Sequence, residues 1–335
     1  MPLFIDAAGC PNACRHCGRS GRPPWGALYS VAELRELATE WGPVWIDGEP
    51  SAHPDFPEIL GPEVHTCEEV LATNGFGFAR ATDPGALFPR LSELGYWGLS
   101  LTLHGVGSRH DCFVGRKGAY RDILTASARA LQGGFRLHWN IYLDRGNLED
   151  VPRLVELQAR EFPGSLWVGV PFHVVSRRMW RYERLRPSAS DIAARLPNLR
   201  ALVPKTWPRP IEEYTEARWL EQWKTEAATP AAWPPTEPFE ELLVFITRDR
   251  EVYLSPECAP RVLLGTVDEG KAVIEARLRE SPAPVQQVDP WTAEAKLGRL
   301  DLLHHTGESV RHKAVSAVYY WGRAAARKRG GEDDG

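Results

Sequence analysis

Three cysteines fall within eight residues, Cys10, Cys14 and Cys17 of the stretch GCPNACRHCGRSG (9–21). Thiolates are soft ligands for zinc and for iron–sulfur clusters, and both kinds of site are ordinarily completed by four protein ligands. A C-x3-C-x2-C loop offers three. Either His16 or a residue from a distant segment completes a zinc site, or one metal position stays open for a molecule from outside, as at a catalytic metal. The remaining cysteines, Cys67, Cys112 and Cys258, are scattered. Clustered thiols of this kind suit a reducing compartment better than a disulfide framework does.

Other polar groups interrupt apolar runs. Asp47, Gly48, Glu49 and Pro50 end the run PVWID, and Asn74 stands before Gly75 in LATNG. Ser100, Thr102 and His104 alternate along WGLSLTLHG, so an extended chain puts them on one face. Asn140 projects from the otherwise apolar RLHWNIYLD. His104, His110 and Cys112 fall together in LHGVGSRHDC, which reads as a metal triad or as a substrate-facing loop. The segment SRRMWRYERLRP (176–187) mixes arginines with Trp180 and Tyr182. That composition suits a nucleic-acid strand, an anionic group on a small substrate, or a solvated face. A formal net charge of −4 disfavours nucleic acid as the partner.

The elements that must carry these groups alternate. Apolar runs at 2–9, 43–47, 69–75, 97–105, 136–144 and 166–175 read as strands. Helical patterns follow at 31–42, 85–95, 119–134, 148–161 and 188–203, the first capped by Ser30 and ended by Gly42. Six β/α repeats predict an α/β fold with a parallel sheet, curled into a partial (β/α)6 TIM-like barrel. In such sheets ligands bind outside the carboxyl ends of the strands, where every motif above falls. Residues 1–203 are the barrel in this reading. A proline-rich linker with a helix follows at 204–240, then a smaller α/β cap at 241–328 and a frayed tail at 329–335. No apolar run is long enough to span a bilayer, and MPLFIDAAGC has no basic, then long apolar, leader. A cytoplasmic location is expected, with no membrane partner.

The cysteine loop directly after a first strand resembles the signature of the radical S-adenosylmethionine (radical SAM) superfamily. Asp47-Gly48-Glu49-Pro50 resembles that family's GGE element, with Asp47 in place of the first glycine. SAHPDFPEIL, LATNG, LSLTLHG and RLHWNIYLDRGNLEDV resemble the segments that follow, in the same order, over about residues 3–200. The resemblance implies that Cys10, Cys14 and Cys17 hold three irons of one [4Fe–4S] cluster. The amino and carboxylate groups of SAM would take the fourth iron. Reductive cleavage of SAM would then give a 5′-deoxyadenosyl radical that removes a hydrogen atom from a substrate. Glu49 would accept from the SAM ammonium, with Asp47 and Gly48 shaping its turn. Asn74 would face the methionine end, Ser100 the ribose, and His16 the adenine, while Asn140 matches a SAM-contacting position. A one-electron donor such as flavodoxin or ferredoxin is the implied protein partner.

EVYLSPECAPRVLLGTVDEG (251–270) resembles the opening of the SPASM and twitch extensions, which bind auxiliary clusters. Cys258 is the only cysteine after residue 112, too few thiolates for a second cluster, so one cluster is expected. Cys258 is then either an inert thiol or a hydrogen donor in a redox-neutral epimerisation or rearrangement. The first strand begins at residue 2 or 3, with no peptide-recognition domain expected before it. The reading therefore favours a small metabolite (a sugar, aminoglycoside or nucleoside) as substrate. A ribosomally made peptide is the alternative, and a non-catalytic iron–sulfur or zinc protein the alternative from another class.

Overall fold

A computed structural model describes residues 3–17, 25–66, 69–169, 185, 187, 189–198, 244–247, 249–254 and 262–280. Strand β1 (Leu3–Asp6) leads through the cysteine loop to helix α1 (Val31–Trp41) and strand β2 (Val44–Asp47). A two-residue strand β3 (Val64–His65) precedes β4 (Val70–Thr73), which is followed by helices α2 (Phe76–Arg80) and α3 (Pro84–Glu93). Next come β5 (Gly98–Leu103), α4 (Ser108–Val114), α5 (Ala119–Gln132), β6 (Arg136–Tyr142), α6 (Val151–Glu161), β7 (Ser165–Gly169) and α7 (Ala189–Arg195). A hairpin of β8 (Val244–Ile246) and β9 (Glu251–Leu254), strand β10 (Val262–Thr266) and helix α8 (Lys271–Glu280) complete the described chain.

The architecture is mixed α/β with parallel pairing throughout the region of the motifs. Strands β4, β5, β6 and β7 form one parallel sheet, and β1 pairs in parallel with β2 in the other. The expected single curled sheet is thus divided in two, because β3 takes the free edge of β2. Helices cover the outer faces. Leu99, Leu101 and Leu103 of β5 are fully buried, whereas Ser100 and Thr102 between them remain partly accessible on the opposite face. Burying each such leucine contributes about 2 kcal/mol. The α1 face of Leu34, Leu37, Ala38 and Trp41 joins the same core. Its start carries the full capping box, Ser30 Oγ accepting from the Glu33 N–H while Glu33 Oε2 accepts from the Ser30 N–H.

The C-terminal strands extend the first sheet at its β1 edge. Strand β8 pairs in parallel with β1, Leu3 opposite Val244 and Ile5 opposite Ile246. Tyr29 donates to the Thr247 carbonyl at 2.8 Å, and Lys271 Nζ to the Trp41 carbonyl at 3.0 Å. What is described of the expected cap is therefore built onto the barrel sheet. Cys258, the 204–240 linker, most of the arginine-rich 176–187 segment and the tail lie outside the described residues. Among the described residues, no helix is long and apolar enough to cross a membrane.

Candidate active site

The cysteine loop is fixed by the strand ends around it. At its start, Asp6 Oδ1 accepts from the Gly9 N–H at 2.7 Å, and the Gly9 carbonyl accepts from the Glu49 N–H at 3.2 Å. Gly48 makes this docking possible. Its φ is +85°, and a Cβ there would stand 3.0 Å from Asp6 Oδ1. Asp47, the last residue of β2, lies opposite Asp6 in the parallel ladder. The third element is the turn after β4, where Asn74 Nδ2 donates to Cys10 Sγ at 3.3 Å. The same side chain closes the turn that leads into α2, its Oδ1 accepting from the Phe76 N–H at 2.9 Å.

Glu49 organises that turn. Its carboxylate is 2% exposed. Oε1 accepts from Ser51 Oγ at 2.5 Å and Thr73 Oγ1 at 2.6 Å, while Oε2 accepts from the Asn74 N–H. Burial pushes the pKa of Glu49 up, and these donors pull it back. The Ser51 N–H adds a fourth donor, so the chain itself supplies a donor for each of the roughly four lone-pair positions of this carboxylate. Glu49 stands two residues past the end of β2. Its partners are in the main residues of its own fold.

On the opposite side, Arg116 reaches from the start of α5 into the loop. Its Nε donates to Asn12 Oδ1 at 2.5 Å, and Nη1 pairs with Asp122. Nη2 is buried with no hydrogen-bond partner among the described residues, a guanidinium donor held on the far side of the cysteine loop. Sequence reading missed Arg116 because nothing in the polar stretch GRKG sets it apart from a solvated surface arginine.

His16 sits in an aromatic nest at the ends of β5 and β6. Its ring centroid is 4.7 Å from His104, 5.7 Å from Phe113 and 5.3 Å from Tyr142. His104 stacks on Phe113 at 4.0 Å, and its N–H donates to His110 Nδ1 at 3.1 Å. Burial holds both imidazoles neutral: His104 lies well below the ordinary histidine value and His110 is pushed down to about 4. His104 and His110 serve as packing, and Cys112 is exposed instead of joining them. Among the described residues no three His, Cys, Asp or Glu side chains are gathered closely enough to hold one metal ion.

Ser100 and Asn140 form a separate pair, Asn140 Nδ2 donating to Ser100 Oγ at 2.9 Å. His138, read from sequence only as part of a strand, extends it: Nε2 meets Asn140 Oδ1 at 3.0 Å and Nδ1 meets Ser165 Oγ at 2.6 Å. Ser100 lies four residues before His104, so this ladder sits about 13 Å down the strand from the nest.

A cavity of about 540 Å³ opens beside the loop, and its wall includes Arg15 and Phe113. Arg15 lies between Cys14 and Cys17, so the cavity and the cysteine loop share a side chain. The thiols themselves fit a soft metal group. Cys10, Cys14 and Cys17 form no disulfide among the described residues and are partly accessible. Burial, then the charge of Glu49, pushes the Cys10 thiol up to about 12, an environment that a cationic iron centre would relieve.

The sequence model of the radical SAM superfamily matches residues 4–157. The Fe-coproporphyrin III synthase of Methanosarcina barkeri (strain Fusaro / DSM 804) is 24% identical over 167 residues, 45% of this chain and 39% of that protein. The chain thus matches well under half the length of that relative. Among solved structures, native anSMEcpe with bound AdoMet superposes with a TM-score of 0.51 at 14% identity, covering 98% of this chain and 97% of that one. Streptococcus suis SuiB bound to its precursor peptide SuiA gives 0.51 at 13% identity, covering 83% of this chain and 64% of that one. At such identities the superpositions speak to the fold. Residues 4–157, the stretch that carries the cysteine loop and every strand end around it, are thus similar in sequence to the radical SAM superfamily.

Proposed function

We propose that the chain cleaves SAM reductively at a single [4Fe–4S] cluster held by Cys10, Cys14 and Cys17, and that a small molecule in the adjoining cavity loses the hydrogen atom. The cluster and SAM together supply electron transfer to a sulfonium and a carbon radical from it; the chain's residues bind, orient and exclude water. One observation carries the reading. The ends of β1, β2, β4 and α4 hold the cysteine loop, with Asn74 bonded to the first sulfur, beside a cavity of ligand size.

Each side chain has a task that follows from its contacts. Asn74 donates to Cys10 Sγ and would tune the thiolate. Glu49 would take the ammonium of SAM by exchanging one of its present donors, and the Nη2 of Arg116 would take its carboxylate. The nest of His16, Phe113 and Tyr142 offers flat surfaces for a purine. Ser100 and Asn140 already satisfy one another, so contact with SAM would require that bond to open. Cys258 keeps its proposed choice between inert thiol and hydrogen donor.

A cavity near 540 Å³ has the size of sites for small ligands, which supports a metabolite over a peptide as the group that reacts. The test is anaerobic incubation of the iron-loaded chain with SAM and dithionite, with chromatography of the nucleosides formed. Release of 5′-deoxyadenosine supports the reading, and unchanged SAM rejects it.

A further inference from the structure

The cavity has a charge pattern of its own, independent of the cysteines. Three guanidiniums, Arg15, Arg109 and Arg153, and two carboxylates, Asp144 and Asp150, face it. Arg109 and Asp150 are spent on each other at 3.0 Å, and Asp150 Oδ2 also accepts from the Val106 N–H at 3.0 Å. Among the described residues, the Arg15 side chain makes one hydrogen bond, Nη2 to Cys112 Sγ at 3.4 Å. A thiol sulfur is a weak acceptor, so most of that donor fork stays open. Among the described residues, Arg153 makes neither a hydrogen bond nor an ion pair. Asp144 is 4% exposed, and its Oδ1 accepts from the Gly146 N–H at 2.6 Å.

Once the Arg109–Asp150 pair cancels, two open guanidiniums remain against one carboxylate, a net charge of one positive unit. That balance matches a monoanion better than a dianionic phosphate. The two arginines come from different segments, one on the cysteine loop and one on α6, and guanidinium forks suit the planar carboxylate. From this we infer that the cavity is a carboxylate subsite. It takes a small carboxylic acid whose –CO2⁻ is held by Arg15 and Arg153, and whose neighbouring N–H or O–H donates to Asp144. The inference rests on the proposed function only in calling this acid the substrate; Arg15 then ties substrate position to the cysteine loop. No bond is made or broken in the step.

Cys112 lines the same cavity and is exposed, which gives a direct reporter. The cluster-free full chain is treated with iodoacetamide, and alkylation of the Cys112 peptide is followed by mass spectrometry. N-acetylglycine, a monoanionic carboxylate with an adjacent N–H, is titrated as probe, with inorganic phosphate and glycinamide alongside. N-acetylglycine is expected to slow alkylation saturably. Arg153→Gln and Arg15→Gln are each expected to raise its half-saturating concentration about tenfold, the worth of one charge-assisted contact. Arg153→Lys keeps the charge without the fork and should fall between. No protection, equal half-saturation in the variants, or equal protection by glycinamide overturns the inference. Tighter protection by phosphate overturns its carboxylate assignment. SAM cleavage by the loaded wild-type chain is scored separately, so failure of the proposed function and failure of the subsite remain distinct.

Discussion

The backbone N–H of Asn74 donates to the Glu49 carboxylate, and this bond ties the end of β4 to the end of β2 across the break between the two sheets. Thr73 Oγ1 adds a second tie to the same carboxylate at 2.6 Å. The turn that presents Asn74 to Cys10 is therefore set by an acid buried behind it.

Replacing Glu49 with glutamine puts an amide donor where the donors of Ser51, Thr73 and Asn74 converge. The expected cost is on the order of 2 kcal/mol of stability, read as a lower urea midpoint with unchanged slope. SAM binding should weaken by at least about tenfold. A variant with wild-type stability would remove Glu49 as the organiser of the turn.

Asn74→Ala deletes the contact to Cys10 and the turn bond to Phe76 together, with an expected loss of about 1 kcal/mol. In the iron-loaded chain it should also shift the cluster's reduction potential, since hydrogen bonds to sulfur tune such centres. An unmoved potential in a folded, loaded variant would separate Asn74 from the cluster.

How much of this was legible in the sequence depends on whether a signal was local. The six main strands and their order could be read because β5 and β6 bury alternate apolar side chains, and Ser30 and Glu33 carry their cap within four residues. The short helices α2 and α4 were missed, since five and seven residues are too few to display a helical period. Strand β8 gave no hint that it would lie beside β1, because that pairing spans most of the chain. At the site, cysteine spacing and the Glu49 turn were readable as motifs. Arg116, His138 and the pairing of Arg15 with Cys112 were not, because their meaning lies in distant partners.

Gly77 lets α2 pack against the turn after Glu49, and a Cβ there would stand 1.9 Å from the Ser51 carbonyl oxygen. Gly77→Ala should therefore force the two segments apart at a cost of about 3 kcal/mol, with loss of SAM cleavage. Thermal unfolding and a cleavage assay check both effects; an unshifted midpoint contradicts the packing.

Two buried groups give opposite pH dependences. Burial raises Asp144 from 3.8 to about 6, so its contribution to stability is lost as pH rises from about 4 to about 6. Burial lowers His110 from 6.5 to about 4, so its contribution is lost as pH falls through the same window. Each amounts to about 3 kcal/mol at most. Asp144→Asn should therefore gain on the wild type between pH 4 and pH 6, by an amount that grows as the pH rises. Urea unfolding at pH 4.5, 5.5 and 6.5 measures it, and a constant difference between the two proteins would contradict the buried, proton-holding Asp144.

The most direct measurement is electron paramagnetic resonance of the anaerobically loaded, reduced chain, recorded with and without SAM. A chain whose three thiols leave one iron unclaimed should bind about four irons, and its reduced spectrum should change when SAM is added. Cys14→Ala should abolish both. A loaded wild-type chain that holds a single colourless metal ion, or whose cluster spectrum is the same with and without SAM, would contradict the account.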